Sequence, residues 1–424
     1  MELKPMAYQK IVQLAEKGVD IRNPLTLDIG DEVNVDHISG KGVTIYPGCR
    51  IYGHKTVIAP GAQIGREGPV TVENCQIGPK VELKGGYFKQ AVFLEKANMG
   101  LGAHVREGCI LEEEANGAHC VGLKQTILFP FVTLGSLINF CDCLMAGGSS
   151  RKDHSEVGSS YIHFNFTPNG DKTTASLIGD VPRGVMLNQP PIFLGGQGGL
   201  VGPLRLGYGN VVSAGTILRQ DVTDDNKLIL GKPHRRSGVV PFTPAAYLNL
   251  SRIVRNNFLY LANLTALDAW YRNVRKDFFE GQEFGDLIYE GLVDKLSLAR
   301  EERIKRLKAM AEKMPRSSEN SRAEGKRTTG KEEFGRRIES ACELFSDQRN
   351  AQIGSDDRER FLNAFHEHKR NTGATYIEVI KSLPIHISTA GTLWLQAIVQ
   401  ELYTRVAAFF PSLELLKKDH PIAE

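Results

Sequence analysis

Along the first half of the chain, aliphatic residues recur every six positions. Ile45, Ile51 and Val57 are six apart, as are Ile64 and Val70, and Ile77 and Leu83, with a one-residue slip between groups. The spacing returns at Leu206, Val212 and Leu218. A period of six matches neither a 3.6-residue helical stripe nor the simple alternation of an isolated strand. It fits a solenoid of parallel strands with three faces and one inward aliphatic per face. Gly48, Gly61, Gly65, Gly78, Gly207 and Gly215 stand where such short strands must turn. One coil cannot bury its aliphatic residues alone, so stacking makes the core. Alternation by itself would also allow a sandwich of short strands. The sixfold phase, kept over three stretches, favours the solenoid.

After residue 240 the period changes to three and four. PFTPAAYLNLSRIVRNNFLYLANLTALDAWYRNVRKDFF opens with a Thr-Pro entry signal and continues as an apolar helix pattern. LIYEGLVDKLSLAREERIKRLKAMAEKM predicts a second long helix, and TLWLQAIVQELYTRVAAFF closes the chain as another. Between them PRSSENSRAEGKRTTGKEE is polar and reads as a linker or exposed loop. Only 9 of the 43 glycines lie after residue 240, which marks the same boundary. The expected organisation is an N-terminal helix (1–18), a solenoid (19–235), a helical segment (240–314), a linker (315–332) and a C-terminal helical region (333–424).

Composition narrows the function classes. The net charge of +3 is spread over 424 residues, which argues against a dedicated nucleic-acid binder with its basic stripe. Lys326 and Arg327 read as a solvated segment. No apolar run is long enough for a membrane span, and the N-terminus lacks a signal-peptide core, so a cytoplasmic protein is expected. Seven scattered cysteines do not form a disulfide framework. Cys141-Asp142-Cys143 has no second pair at zinc-site spacing, and His54, His104, His119, His154 and His163 do not repeat by coil length. No metal site is read.

Two features suggest a site for small-molecule chemistry. Arg106 and Lys124 are 18 residues apart, one coil, which predicts two cations on the same face one rung apart. From the residues alone they are equally two unrelated cations on a solvated face or a guanidinium fork and an ammonium suited to a dianion. The second feature is Asn165-Phe166-Thr167-Pro168-Asn169-Gly170-Asp171-Lys172, an irregular polar loop interrupting the repeat just before Leu177-Ile178-Gly179-Asp180.

These stretches resemble the acetyltransferase half of bacterial bifunctional UDP-N-acetylglucosamine pyrophosphorylase / glucosamine-1-phosphate N-acetyltransferases, over residues 18 to 222. The resemblance implies a left-handed parallel β-helix, here followed by an all-helical C-terminal domain that resembles nothing named. It implies an acyl-CoA-dependent N-acyltransferase acting on an amino sugar phosphate or nucleotide-linked amino sugar. Acetyl-CoA or another acyl-CoA would be the co-substrate, and a homotrimer with sites between solenoids the assembly. Arg106 and Lys124 match the family's phosphate-binding pair. FNFTPNGDK matches its sugar-contacting loop, with Asn165, Phe166 and Lys172 in the family's Asn, Tyr and Lys places. Ala214 and Gly215 match small residues beside the thioester, and Arg219 is placed for a CoA phosphate.

Three departures accompany the resemblance. Where the family has its general-base His, this chain has Phe140, within Ile138-Asn139-Phe140-Cys141-Asp142-Cys143. Imidazole has a pKa suited to the task, so His154, in the inserted GGSSRKDHSEVG, and His163 are the substitute candidates. The stretch LNQPPIFLGGQGGLVGP, residues 187 to 203, also reads as an insertion, its GGQGG a turn or an anion nest. The family's uridylyltransferase domain is not found ahead of the solenoid, so pyrophosphorylase activity is not expected. The alternative reading is a catalytically impaired repeat protein that binds a nucleotide sugar or serves as a trimeric scaffold.

Overall fold

The structure, a computed structural model, describes residues 7–231, 242–372 and 375–416. The expected end of the solenoid at 235, the start of the helical segment at 240 and the last eight residues lie outside these. A short helix α1 (Tyr8–Lys17) caps a parallel β-solenoid of about eleven turns, whose first face is an eleven-stranded sheet. A second sheet of sixteen strands folds around a corner and forms the other two faces. The fold turns there because the strands Gly122–Leu128 and Asn139–Met145 run through the corner from the second face to the third. Every pairing between successive coils is parallel; the sole antiparallel one among the described residues is a small hairpin, Gly148–Ser150 with Asp153–His154.

The hexad aliphatics are the core. Ile45, Ile51, Val57, Ile64, Val70, Ile77, Leu83, Leu206, Val212 and Leu218 are all buried. Not every corner uses glycine. Asn74, Gln90, Gln125 and Asp142 take left-handed backbone conformations (φ 52°, 47°, 49° and 59°) at the corner between the second and third faces. Such a residue costs about 1–2 kcal/mol. In the same corner column Gly108 leaves the space that the Gln125 side chain fills, since a Cβ there would stand 2.5 Å from it.

The presumed insertion 187–203 is mostly regular coil. Phe193–Leu194 pairs with Glu156–Val157 and Val211–Val212 on the first face, and Gly199–Val201 pairs with Ile162–Phe164 on the second. GGQGG is the corner between them, and a Cβ at Gly195 would come within 2.4 Å of the Ala214 backbone. The irregular part precedes it, beginning with the helical turn α2 (Val181–Gly184), N-capped by Asp180.

The helical half packs against the third face. Helix α3 (Leu250–Trp270) is buried for most of its length. Three of its asparagines bond the solenoid: Asn256 donates to the Pro203 carbonyl (3.2 Å), Asn257 to the Thr173 carbonyl (3.0 Å), and Asn263 accepts from the Val181 amide (2.9 Å). These satisfy backbone groups that the docked helix would otherwise strand from water. Helix α4 (Gly285–Ala311) follows after a π-helical turn, Tyr271–Arg275. Then come α5 (Met314–Ala323), α6 (Thr329–Glu343), α7 (Ser355–Thr372), α8 (Tyr376–Lys381) and α9 (Ile385–Phe409). The stretch expected as a linker, 315–332, is therefore largely helical. Its polarity misleads because Met314, Ser317, Ser318 and Ser321 supply a small buried face for α5.

Candidate functional site

The second face carries an outward column in which each rung contributes one residue. Register links Tyr52 to Glu73, Glu73 to Lys89, and Val105 to Leu123, so that Arg106 lies beside Lys124; Lys124 in turn pairs with Cys141. The Arg106 amide donates to the Leu123 carbonyl at 2.8 Å, which fixes the two cations on adjacent strands, about 4.8 Å apart along the solenoid. Lys89 is a third cation of this column that the sequence reading did not single out; its signal is the 17-residue step before Arg106.

The column is partly neutralised. Lys124 pairs with Glu107 at 2.5 Å and Lys89 with Glu73 at 2.8 Å. Burial works to raise the Glu107 carboxyl, but the Lys124 hydrogen bond and the Lys124 and Arg106 charges outweigh it and hold the group below the usual range. Arg106 itself is exposed.

The loop from residue 165 leaves the second face after Phe164 and rejoins the third at Ser176. Asn165 is half-buried and Phe166 is 75% exposed. Asp171 is fully buried and accepts from Thr173 (3.0 Å from its hydroxyl, 3.2 Å from its amide), Thr167 (3.3 Å) and the Tyr247 hydroxyl (2.5 Å). Lys172, at φ 56°, follows it.

Cys141 feels the charges of these elements. Burial and the neighbouring Asp142 push its thiol up to about 11, while the charges of Arg106, Lys124 and Lys172 pull it down. Register puts Lys124 directly beside Cys141 and Arg106 one rung further, while the Lys172 loop is tied to the next residue, Asp142, through Arg303. Cys141 is 5% exposed, the outward position of its rung.

The neighbouring Phe140 lies on the inward side. It is fully buried, with ring centroids 6.2 Å from Tyr161 and 6.4 Å from His163. The residue at the family's base position therefore builds core and does not face the site. His163 is also inward and 2% exposed; its Nδ1 meets the Cys141 carbonyl at 2.5 Å and its Nε2 the Ser176 hydroxyl at 2.8 Å. Burial pushes its pKa down to about 4, against the opposing effects of Asp142 and the Cys141 carbonyl. With both nitrogens engaged inside the solenoid, His163 is not positioned to take a proton from a substrate on the outer surface.

His154 is separated from the cations too. It sits in the hairpin leaving the corner between the third and first faces, opposite the second face. Arg151 pins that hairpin by donating to the carbonyls of Glu114 (3.1 Å) and Phe131 (2.9 Å). His154 is half-buried, and its Nδ1 is buried without a hydrogen-bond partner. Ala214, Gly215 and Arg219 are exposed on the late coils. Space around Gly215 (φ 73°) is open, with nothing within 4 Å of a Cβ built there. Register places Arg219 beside Val201, two further rungs along the column from Phe164 to Val201 to Arg219.

The solenoid half is similar to the bifunctional GlmU proteins. It is 26% identical over 218 residues to that of Thermotoga maritima, a match covering 51% of this chain and 43% of the relative. It is 27% identical over 223 residues to that of Trichlorobacter lovleyi (52% and 43%), and 29% over 187 residues to that of Pelobacter propionicus (44% and 36%). The chain thus spans less than half the length of these curated relatives. Among solved structures, a UDP-N-acetylglucosamine acyltransferase from Campylobacter jejuni matches 48% of this chain and 67% of its own, at 12% identity and a TM-score of 0.15. No family model matches the chain. The GlmU likeness supports the hexapeptide-repeat acyltransferase class for the solenoid half. No helix among the described residues is long and apolar enough to cross a membrane.

Proposed function

We propose that the chain transfers an acyl group from acyl-CoA to the amine of a sugar bearing a phosphate or a nucleotide diphosphate. The observation that carries this reading is the register that sets Arg106 and Lys124 one rung apart on adjacent strands of the second face, beside Cys141. A scaffold has no use for cations aligned on one face, whereas a phosphate dianion can bind between them, and Lys172, on the loop that leaves this face, would complete the set. Phosphate binding would displace Glu107 from Lys124. Asn165, at the root of the loop, would orient the sugar, with Phe166 beside it. Ala214 and Gly215 would leave room for the thioester, and Arg219 would meet a CoA phosphate.

The protein would contribute mainly alignment. The thioester is already activated, and holding a neutral amine against its carbonyl can supply about 7–11 kcal/mol of the barrier. Neither histidine faces the cations within one chain, so a role for His154 in removing the amine proton requires a neighbouring copy. Phe193, Val211 and Leu228 are register neighbours on the first face and are 40%, 40% and 66% exposed. This apolar stripe is the surface through which a homotrimer would form.

Calorimetric titration with glucosamine 1-phosphate and with glucosamine tests the cation site. Arg106→Ala, Lys124→Ala and Lys172→Ala should each weaken the phosphorylated sugar about tenfold or more and leave the weak binding of glucosamine unchanged. That is the expected loss of about 1.5–3 kcal/mol for a hydrogen bond to a charged group. Equal binding of the two sugars by wild type would remove the phosphate site.

A further inference from the structure

The loop that presents Lys172 is held by the helical half more than by the solenoid it interrupts. The Ala245 amide donates to the Asn169 side chain at 2.9 Å, and the Lys313 ammonium meets the Asn169 carbonyl. The Tyr247 hydroxyl donates to Asp171 Oδ2 at 2.5 Å, filling the oxygen that the loop's own donors leave open. Asn257 of α3 donates to the Thr173 carbonyl at 3.0 Å, and Met310 of α4 receives the Thr173 hydroxyl at 3.6 Å.

Arg303 of α4 joins this loop to the cation column. It is 1% exposed, and one nitrogen donates to Asp142 Oδ1 at 2.8 Å, the other to the Lys172 carbonyl at 3.1 Å. Asp142 directly follows Cys141, the rung partner of Lys124. One guanidinium thus spans the rung and the loop in a fixed fork. Lys172 itself has a left-handed backbone, gripped on its amide by the Thr167 hydroxyl (3.2 Å) and on its carbonyl by Arg303. A non-glycine residue keeps such a conformation only where its surroundings over-determine it.

We propose that the helical half is a clamp that sets where Lys172 stands against Arg106 and Lys124, with Tyr247 and Arg303 as its positioning residues. The clamp rests on the phosphate-site reading for its purpose, though not for its existence. It gives a helical domain with no counterpart in the solenoid likeness a definite task. Any movement of α4 along the third face would move Lys172 relative to the column.

Two variants test it in the full chain. Tyr247→Phe removes one hydroxyl and keeps the ring. Arg303→Lys keeps a charge for Asp142 but cannot span both acceptors. In each, hydrogen exchange of amides 167–174 should quicken at least tenfold while the solenoid strands and α3 keep their protection. The dissociation constant for glucosamine 1-phosphate should rise about tenfold, with binding of glucosamine unchanged. Unchanged loop exchange in both variants overturns the clamp. Faster exchange with unaltered glucosamine 1-phosphate affinity, where Lys172→Ala does weaken it, overturns the positioning role. If Lys172→Ala has no effect on affinity, the phosphate-site reading fails, and loop exchange alone decides whether the helical half holds the loop.

Discussion

His163 shows how burial turns a candidate base into a structural residue. Its folded pKa of about 4 lies below the 6.5 of a free imidazole because burial disfavours the imidazolium. Between those values the unfolded chain binds the extra proton, so the stabilising contribution is complete above pH 6.5 and is lost as pH falls towards 4. The difference corresponds to about 3 kcal/mol. Urea midpoints for wild type should fall from pH 7 to pH 4.5, and His163→Gln should flatten that slope. An equal slope in the variant would mean that other groups carry it. The sequence could not show this, because a histidine at an inward position is invisible until register is known. Phe140 and Cys141 were within reach of the sequence once the coil step was carried forward. Counting alternation onward from Leu123 and Lys124 would have turned Phe140 inward and Cys141 outward, and one further coil back would have found Lys89.

At the scale of elements, the strands were legible because each inward aliphatic recurs at coil spacing. The helices were legible where apolar spacing was strong, and α5 was missed because its buried face is built from serines. Gly291 on α4 marks how closely helix and solenoid approach. A Cβ there would stand 2.3 Å from Gln76 Oε1 and 2.6 Å from its Cδ. Gln76 is 3% exposed and donates to the Lys55 carbonyl at 2.6 Å, so it cannot yield freely. In an exposed helix Gly→Ala would stabilise by up to about 1 kcal/mol. Here Gly291→Ala should instead destabilise by about 1–3 kcal/mol, the range for overpacking. A stabilised variant in denaturant titration would show that α4 does not seat on the third face as described.

At the scale of the whole molecule, the division into solenoid and helices follows from the change of period at residue 240. That the halves form one packed body does not, because their junction uses pairs far apart in sequence. Arg275, 1% exposed, meets Glu112 (3.4 Å) and Glu113 (2.5 Å) while its guanidinium lies 3.8 Å from the centroid of the Tyr376 ring. Burial pushes Glu112 up to about 7, against the pull of Arg275. Arg275→Met should cost about 3–5 kcal/mol by leaving buried carboxyl groups unpaired. The loss should be smaller at pH 5 than at pH 8, since a protonated Glu112 needs no counter-charge. A loss independent of pH would place the cost in packing alone.

The central claim is that the cation column serves acyl transfer to a phosphorylated amino sugar. Release of CoA thiol from acetyl-CoA, followed with glucosamine 1-phosphate and a panel of phosphate- and nucleotide-linked amino sugars, tests it most directly. Wild type should release thiol only with an acceptor present, and Lys124→Ala should raise KM for the acceptor about tenfold or more. Absence of release with every acceptor would contradict the claim and favour a solenoid that binds or scaffolds without transferring.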